Sequence, residues 1–285
     1  MRQHKLAVGT AILAIGALLS VGIPGALAAA GPSAAAAEPA QRPGGLLRVT
    51  GGVPTPKGKP AFDATFRGKH LDRKIWDTCY PLIPSYGGGC QNWGNPEEAE
   101  WYIPSQVKVS KGRVALVATR TRTVGTTKTG ARKVYECRSG MITSYPGLRF
   151  KYGFVQVVAS IAHGKGLWSA LWLSAANGQY PPEIDMVESW GSNVLTGSFY
   201  HPDTGHHGRA TYPTSLTKGW QIYSLSWTRS TLTYWVGNKV VLTVTKDVPR
   251  QAMYFIADVA EYQPAKAGTC HGQMLIKSVK VWTSA

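Results

Sequence analysis

From Phe62 onward, hydrophobic and polar positions alternate in short runs, and helical periodicity is almost absent. Residues 107–109 and 114–118 flank the turn residues 110–113, a pattern that predicts a β-hairpin. Gly237 and Asn238 predict a second tight turn between two apolar runs. Many short strands separated by turns predict an all-β fold, a sandwich of two antiparallel sheets. The other predicted strands lie at 154–158, 168–173, 222–227, 232–236, 240–244, 253–259 and 274–282.

Two of these runs differ from the rest because their apolar residues are nearly continuous. Residues 154–158 and 168–173 lack the regular polar alternation of a half-exposed strand. Continuous apolar runs of this length are typical of strands that are covered on both faces. We therefore predict that both strands are buried on both sides.

The stretch 182–190 carries three acidic residues within six positions. Side chains of a strand alternate between faces, so Glu183 and Asp185 share one face, and Glu188 falls out of phase by one residue. A single-residue bulge near Met186–Val187 returns Glu188 to the acidic face. We predict such a bulge, because bulges are frequent beside active sites.

Carboxyl groups on one face of a strand suit the chemistry of retaining glycosidases. One carboxylate attacks the anomeric carbon, and a second carboxyl group, roughly 5–5.5 Å away, protonates the leaving oxygen. Clustered carboxyl groups repel one another, which keeps one of them protonated while another is ionised. The alternative interpretation is a solvated acidic edge strand.

The N-terminus has the pattern of an export signal. Arg2 and Lys5 precede an apolar run that ends on the small-residue site Ala26-Leu27-Ala28. We predict a signal peptide over 1–28 and a secreted protein; glycines and a proline interrupt the run, which argues against a membrane anchor. An Ala/Pro/Gly-rich linker is predicted over 29–58 and a single catalytic domain over 59–285.

Four cysteines in an exported chain predict two disulfide bonds, for which three pairings are possible. Cys79 and Cys90 flank a loop rich in Pro and Gly, and we predict that they close it. Cys137 and Cys270 then form a long-range bond. No C-x-x-C pair is present, so no metal site is predicted at the cysteines.

The chain is strongly basic, with 31 Lys and Arg against 15 Asp and Glu. Removing Arg2 and Lys5 leaves 29 basic residues and a mature charge of about +14. Such a charge favours an anionic cell-wall polymer as a partner, although a basic solvated surface explains it equally. No nucleic-acid recognition motif and no membrane span accompany the basic residues, and we expect a monomer.

The ten tryptophans and 13 tyrosines suggest sugar binding, because aromatic faces receive the apolar side of pyranose rings. Trp168, Trp172 and Trp190 all lie close in sequence to the acidic strand. A role in the core is the alternative for each of them.

An ordered set of motifs resembles glycoside hydrolase family 16. The acidic stretch 183–188 is similar to the bulged E-x-D-x-x-E strand of that family. Asn95 and Glu98 with Trp101-Tyr102, then 139–144, then Tyr152-Gly153, then 166–173, follow in the family's order.

The resemblance implies a concave β-jelly roll with a sugar-binding cleft. By position, Glu183 is expected to be the nucleophile, Glu188 the general acid/base, and Asp185 the residue between them that orients the nucleophile. The substrate-binding residues implied are Trp168, Trp172, Trp190, His201 and Asn95. No cofactor is expected, and the family analogy allows a structural calcium whose ligands the sequence does not place.

The activity that follows is endo-acting, retaining hydrolysis of a β-linked polysaccharide, with β-1,3-glucan as the substrate that the bulged motif favours. A galactan or an acidic polysaccharide is the alternative substrate. A transglycosylase and a non-catalytic polysaccharide-binding protein are the alternative functions.

Overall fold

The computed structural model describes residues 52–81, 90, 98–127, 129–190, 196–202, 208–262 and 270–283. The predicted signal peptide, most of the predicted linker and Asn95 lie outside these residues, and the predicted domain boundaries stay predictions. In the described part of the chain, no helix is long and apolar enough to cross a membrane.

Two β-sheets make up the described fold, as the alternation of polar and apolar residues predicts. One sheet has the strand order β14–β13–β12–β7–β16–β4–β5–β2, with β1 paired to β16 and β3 paired to β4. The other has the order β11–β10–β9–β8–β15–β6. All pairings are antiparallel among the described strands except that of β2 with β5, which is parallel. The strands are β1 Phe62–Thr65, β2 Glu100–Tyr102, β3 Val107–Ser110, β4 Arg113–Thr126, β5 Arg132–Ser139, β6 Met141–Thr143, β7 Gly153–Ser160, β8 Leu167–Ala175, β9 Glu183–Trp190, β10 Thr196–His201, β11 Gly208–Tyr212, β12 Gln221–Trp227, β13 Leu232–Val236, β14 Lys239–Val244, β15 Met253–Glu261 and β16 His271–Thr283.

Both predicted turns form where the residues permit left-handed backbone. Ser110 pairs with Arg113, and between them Lys111 and Gly112 have φ angles of 52° and 69°. Two successive positive φ values are those of the two-residue turn whose twist matches a hairpin. Gly237, with φ of 56°, occupies the corresponding position between β13 and β14.

The main core fills the space between the two sheets. Only one face of β7 meets this core. Val155 and Val157 of β7 point into this core, whereas Gln156 and Val158 are partly exposed on the outer side. The prediction that β7 is buried on both faces is therefore wrong. The same prediction is correct for β8, which is buried almost throughout. One face of β8 meets the core, and its other face meets a second cluster on the far side of the sheet.

That second cluster is rich in aromatic residues and lies on the face of the six-stranded sheet that is turned away from the main core. It contains Tyr80, Tyr102, Trp172 and Tyr254 together with Met141. The short segment that carries Tyr80 is fixed beside the cluster by the disulfide bond between its neighbour Cys79 and Cys90. The structure joins the two cysteine pairs that the sequence predicts, with Cα–Cα distances of 5.3 Å for Cys79–Cys90 and 5.7 Å for Cys137–Cys270.

Candidate active site

The acidic strand β9 contains a one-residue bulge at its centre. Val187 pairs with Leu171 of β8 and Asp185 pairs with Trp172, so Met186 has no partner across that pair of strands. The sequence-based prediction of a bulge at Met186–Val187 is confirmed. A bulge of this kind bends the strand and redirects the side chains that follow it.

The bulge brings the two glutamates onto one face. Glu183 and Glu188 are five residues apart in β9, yet they pair with Ser174 and Ala170, which are four apart in β8. An even spacing places both side chains on the same side of the sheet. The Met186–Val187 pair points to the opposite side and packs in the core.

The neighbouring strand β10 stabilises the bulge with a side-chain hydroxyl. Ser198 is the one residue of β10 that lies between the pairs Gly197–Glu188 and Phe199–Asp185. Its Oγ donates a hydrogen bond of 2.8 Å to the carbonyl oxygen of Met186 and lies 3.1 Å from the hydroxyl of Tyr212. The backbone carbonyl at the bulge thus accepts a hydrogen bond from a buried side-chain hydroxyl.

The three acids of β9 line one open cleft. Five of its described lining residues carry carboxyl groups. None of the described lining residues is Lys or Arg. The remainder are aromatic or small. The lining residues are Tyr80, Glu98, Trp168, Ala170, Trp172, Tyr180, Glu183, Asp185, Glu188, Asp258 and Ala260.

Each end of the acidic group has its own polar neighbour. The indole Nε1 of Trp168 donates a 2.9 Å hydrogen bond to Oε1 of Glu188. Nε2 of His201 lies 3.6 Å from Oδ2 of Asp185 and 4.0 Å from Oε1 of Glu183. The predicted residues Trp168 and His201 are therefore brought to the carboxyl groups, one at each end of the row.

Burial governs the protonation of this group. It raises the pKa of Glu188 to about 8, against the opposing effect of the hydrogen bond from Trp168. Burial also raises the pKa of Glu183 and of Asp185, and the nearby charge of Glu188 raises both further. The cleft therefore retains protons at neutral pH and can donate one, which is the property required of a general acid.

The other two predicted tryptophans differ in position. Trp172 lines the cleft and donates a 2.7 Å hydrogen bond from Nε1 to Oδ2 of Asp258. Trp190 is not among the described residues that line the cleft. Its ring packs against those of Trp168 and Phe199, with centroid distances of 6.0 and 4.8 Å, so it supports Trp168 from the side.

Several cleft residues were not predicted from the sequence. Tyr80 and Tyr180 come from loops, whose course the alternation pattern does not reveal. Glu98, although part of a recognised motif, was given no role. Asp258 had a usable signal, because it is the one acidic residue within the apolar run 253–259.

The described residues form two clusters that bear on metal ligation. Two groups of His, Cys, Asp or Glu are close enough to share an ion: Cys137, Glu261 and Cys270, and Glu183, Asp185 and His201. The first consists largely of a disulfide bond, and the second includes an imidazole. Neither is the all-oxygen set that Ca²⁺ prefers, so a structural calcium stays a prediction without assigned ligands.

Comparison with known proteins identifies the family. The model of the glycosyl hydrolases family 16 matches residues 97–269, more than half of the chain. The chain belongs to glycosyl hydrolases family 16. It is 25% identical over 202 residues to endo-1,3-1,4-beta-glycanase ExsH of Rhizobium meliloti, which covers 65% of this chain and 42% of that protein. It is 24% identical over 206 residues to glucan endo-1,3-beta-glucosidase A1 of Niallia circulans, covering 63% of this chain and 28% of that one. The chain thus spans less than half the length of these relatives.

Solved structures show the same fold. The laminarinase catalytic domain of Thermotoga maritima superposes with a TM-score of 0.64 at 20% identity, covering 80% of this chain and 98% of that one. The endo-beta-1,3-glucanase of Pyrococcus furiosus gives a TM-score of 0.65 at 19% identity, with 79% and 94% covered. The predicted β-jelly-roll sandwich is confirmed.

Proposed function

We propose that this family 16 chain is an endo-acting, retaining β-glycoside hydrolase whose substrate is a β-1,3-glucan. The observation that carries the proposal is the bulged strand β9, which presents Glu183, Asp185 and Glu188 together to one cleft. The names of the relatives, endo-glycanases and laminarinases, support the choice of reaction and of substrate class.

In the first step, a carboxylate oxygen of Glu183 attacks the anomeric carbon while the bond to the leaving oxygen breaks. Glu188 gives its proton to that oxygen, and a glycosyl ester on Glu183 results. In the second step, Glu188 takes a proton from water, the water oxygen attacks the anomeric carbon, and the bond to Glu183 breaks. The hydrogen bond from Trp168 occupies Oε1 of Glu188, which leaves Oε2 to carry the transferred proton.

His201 and Asp185 act on the nucleophile in this proposal. The imidazole of His201 lies beside both Glu183 and Asp185 and, when protonated, stabilises negative charge on them. Asp185 lies between the two glutamates in the strand and orients Glu183. The ionised form required for attack is thereby favoured at the end of the row that is remote from Trp168.

The charge of the cleft supports a neutral substrate over an acidic one. Its five carboxyl groups are accompanied by no Lys or Arg among the described lining residues. A uronic acid placed next to them brings like charges together in a partly buried site, where their repulsion is stronger than in water. A neutral glucan avoids this cost, and Trp168 and the half-exposed ring of Tyr180 offer it aromatic surface.

The test is release of reducing ends from a panel of laminarin, mixed-linkage glucan, agarose, a galactan, hyaluronan and carboxymethylated β-1,3-glucan. Wild type should act on laminarin and much less on its carboxymethylated form, and Glu183→Gln should lose the activity while keeping its melting temperature. Glu136→Gln, which removes an exposed carboxylate of β5, is the matched control and should behave as wild type. Substantial hydrolysis by Glu183→Gln would refute the assignment of the nucleophile.

The same samples distinguish the other candidate functions. Products longer than the substrate, formed when an oligosaccharide acceptor is added, would identify a transglycosylase. Binding of laminarin by wild type without any product would identify a binding protein. The configuration of the newly released anomeric centre, followed by NMR, tests retention.

We further propose that the protein is exported and that its basic surface binds an anionic cell-wall polymer. The signal-peptide pattern of 1–28 and the two disulfide bonds support export. N-terminal mass spectrometry of the protein from culture medium should place the cleavage after Ala28. Binding to an anionic wall polymer should weaken as salt is added, because screening reduces attraction between exposed charges.

A further inference from the structure

Asp258 is an acidic residue of the cleft that lies outside the E-x-D-x-x-E strand. It belongs to β15 and pairs with Ala170 of β8, which in turn pairs with Glu188 of β9. Residues directly opposite one another on adjacent strands share a face, so Asp258 and Glu188 face the cleft on either side of Ala170. The small side chain of Ala170 leaves open space between the two carboxyl groups.

Both oxygens of Asp258 accept hydrogen bonds from aromatic residues. Oδ2 accepts from the indole Nε1 of Trp172 at 2.7 Å, and Oδ1 accepts from the hydroxyl of Tyr102 at 3.3 Å. The residue is only 4% exposed. The ring of Tyr80 lies 6.2 Å from that of Trp172 and 6.1 Å from that of Tyr102, so the three rings and the carboxyl group form one packed unit.

A carboxyl group in this place requires an explanation, because its burial costs free energy that an apolar residue avoids. The explanation lies in the donors around it. A buried indole N–H and a buried phenol each need an acceptor, and one carboxyl group serves both at once with its two oxygens. Two aromatic side chains from separate strands, β8 and β2, are thereby held in a fixed relation.

We propose that Asp258 is a positioning residue of the cleft: its carboxyl group links Trp172 to Tyr102 and holds the indole of Trp172 in the orientation that receives a sugar ring. The contacts with Trp172 and Tyr102 stand independently of any reaction. The statement about the sugar ring rests on the proposed function.

Asp258 also lies among other titratable groups. Those facing it are Glu183, Asp185 and Glu188 from β9, Tyr102 and Glu100 from β2, and Tyr80 and Glu98 from the neighbouring segments. Burial raises the pKa of Asp258 to about 7, while the bonds from Trp172 and Tyr102 oppose the rise. When Asp258 is ionised, its charge raises the pKa of Glu188 and so favours the protonated acid.

The first test observes the indole directly and needs no substrate. In a ¹H–¹⁵N spectrum, the Nε1–H resonance of Trp172 is assigned by its loss in Trp172→Phe. Asp258→Asn keeps an acceptor oxygen and should leave this proton protected from exchange with water. Asp258→Leu removes the acceptor and should speed the exchange by about tenfold or more, as expected for loss of a hydrogen bond to a charged group. Asp63→Asn, on β1 of the other sheet, is the control and should change nothing. An unchanged exchange rate in Asp258→Leu would overturn the proposal.

The second test separates positioning from a general structural role. Asp258→Leu should raise KM for laminari-oligosaccharides by about tenfold with a smaller effect on kcat, since it disturbs the surface that binds sugar. Asp258→Asn should have a KM near the wild-type value. Its kcat/KM profile should have the alkaline limb at lower pH than wild type, because the substitution removes a negative charge beside Glu188.

If Asp258→Leu does not fold, Asp258→Asn decides between positioning and a general structural role. A KM in Asp258→Asn as poor as that of a Trp172→Ala variant, in a folded protein, would overturn the proposal, because the retained oxygen should still hold the indole. A protein that hydrolyses no β-glucan refutes the proposed function. The exchange experiment still tests the link between Asp258 and Trp172 in that case.

Discussion

The hydrogen bond from Trp168 to Glu188 provides a direct test of which carboxyl group is the acid. Nε1 donates to Oε1 at 2.9 Å, and the bond is stronger when Glu188 is ionised than when it is protonated. Trp168→Phe removes the donor and keeps an aromatic ring. The ionised form then loses stabilisation, so the pKa of Glu188 must rise.

The size of the rise follows from the strength of such a bond. A hydrogen bond to a charged group contributes about 1.5–3 kcal/mol, and one pKa unit corresponds to about 1.4 kcal/mol. Part of the bond survives with a protonated carboxyl group, which leaves an expected rise of about one unit. In wild type, burial already raises the pKa of Glu188 to about 8. The acid should therefore stay protonated to about pH 9 in Trp168→Phe.

The assay is the pH dependence of kcat/KM on laminarin, whose alkaline limb reports the acid of the free enzyme. That limb should move to higher pH by about one unit in Trp168→Phe, whatever happens to the absolute rate. Trp282→Phe is the matched control, because Trp282 lies in β16 of the other sheet and its Nε1 donates to the carbonyl oxygen of Gly58. An alkaline limb that stays in place, or moves to lower pH, would refute the assignment of Glu188 as the acid.

Three further predictions concern stability. Burial raises the pKa of Glu100 to about 8, so the folded state holds a proton that the unfolded chain releases near pH 4. The free energy of unfolding therefore falls as pH rises from 5 to 8, by at most about 4 kcal/mol from this group. Urea unfolding of Glu100→Gln should show a flatter pH dependence than that of wild type. Ser198→Ala leaves the buried carbonyl of Met186 without its hydroxyl donor and should lower the free energy of unfolding by about 1–3 kcal/mol in the same assay, an unchanged value counting against a role for this bond. Replacing Cys137 and Cys270 together by Ala removes a crosslink over 133 residues and should cost about 2–5 kcal/mol in guanidinium unfolding.

Local sequence patterns predicted the features of this molecule that depend on neighbouring residues. The break in period between Asp185 and Glu188 indicated the bulge, because only an extra residue returns the third acid to the face of the first two. The turn at Lys111–Gly112 was equally local. Such features follow from side-chain alternation and backbone preference, both of which are visible within a few residues.

Features that depend on distant strands were predicted less well. Asp258 reaches the cleft because β15 lies beside β8, a pairing between residues about ninety positions apart. The sequence of 253–259 does not predict which strand pairs with β15. It also does not predict which face of β15 lies towards the cleft. The prediction that Val158 is buried was wrong for a related reason. An apolar run does not reveal whether the outer side of the sheet is covered. Trp190, which is near the acids in sequence, packs its ring against that of Trp168, and its contact with substrate stays a prediction.

The distribution of charge reconciles a basic protein with an acidic site. The chain has a formal net charge of +16, yet five of its 15 acidic residues line one cleft. Burial and the charges of neighbouring carboxyl groups raise the pKa of Glu183, Asp185 and Glu188, so the cleft binds protons as well as carrying negative charge. The proposed anionic partner would consequently be attracted to basic residues outside the cleft and repelled from the cleft itself, whereas a neutral glucan would meet no such barrier at the carboxyl groups. In the proposed function, the positive charge therefore serves attachment to an anionic polymer, and the acidic cleft serves hydrolysis of a neutral glucan.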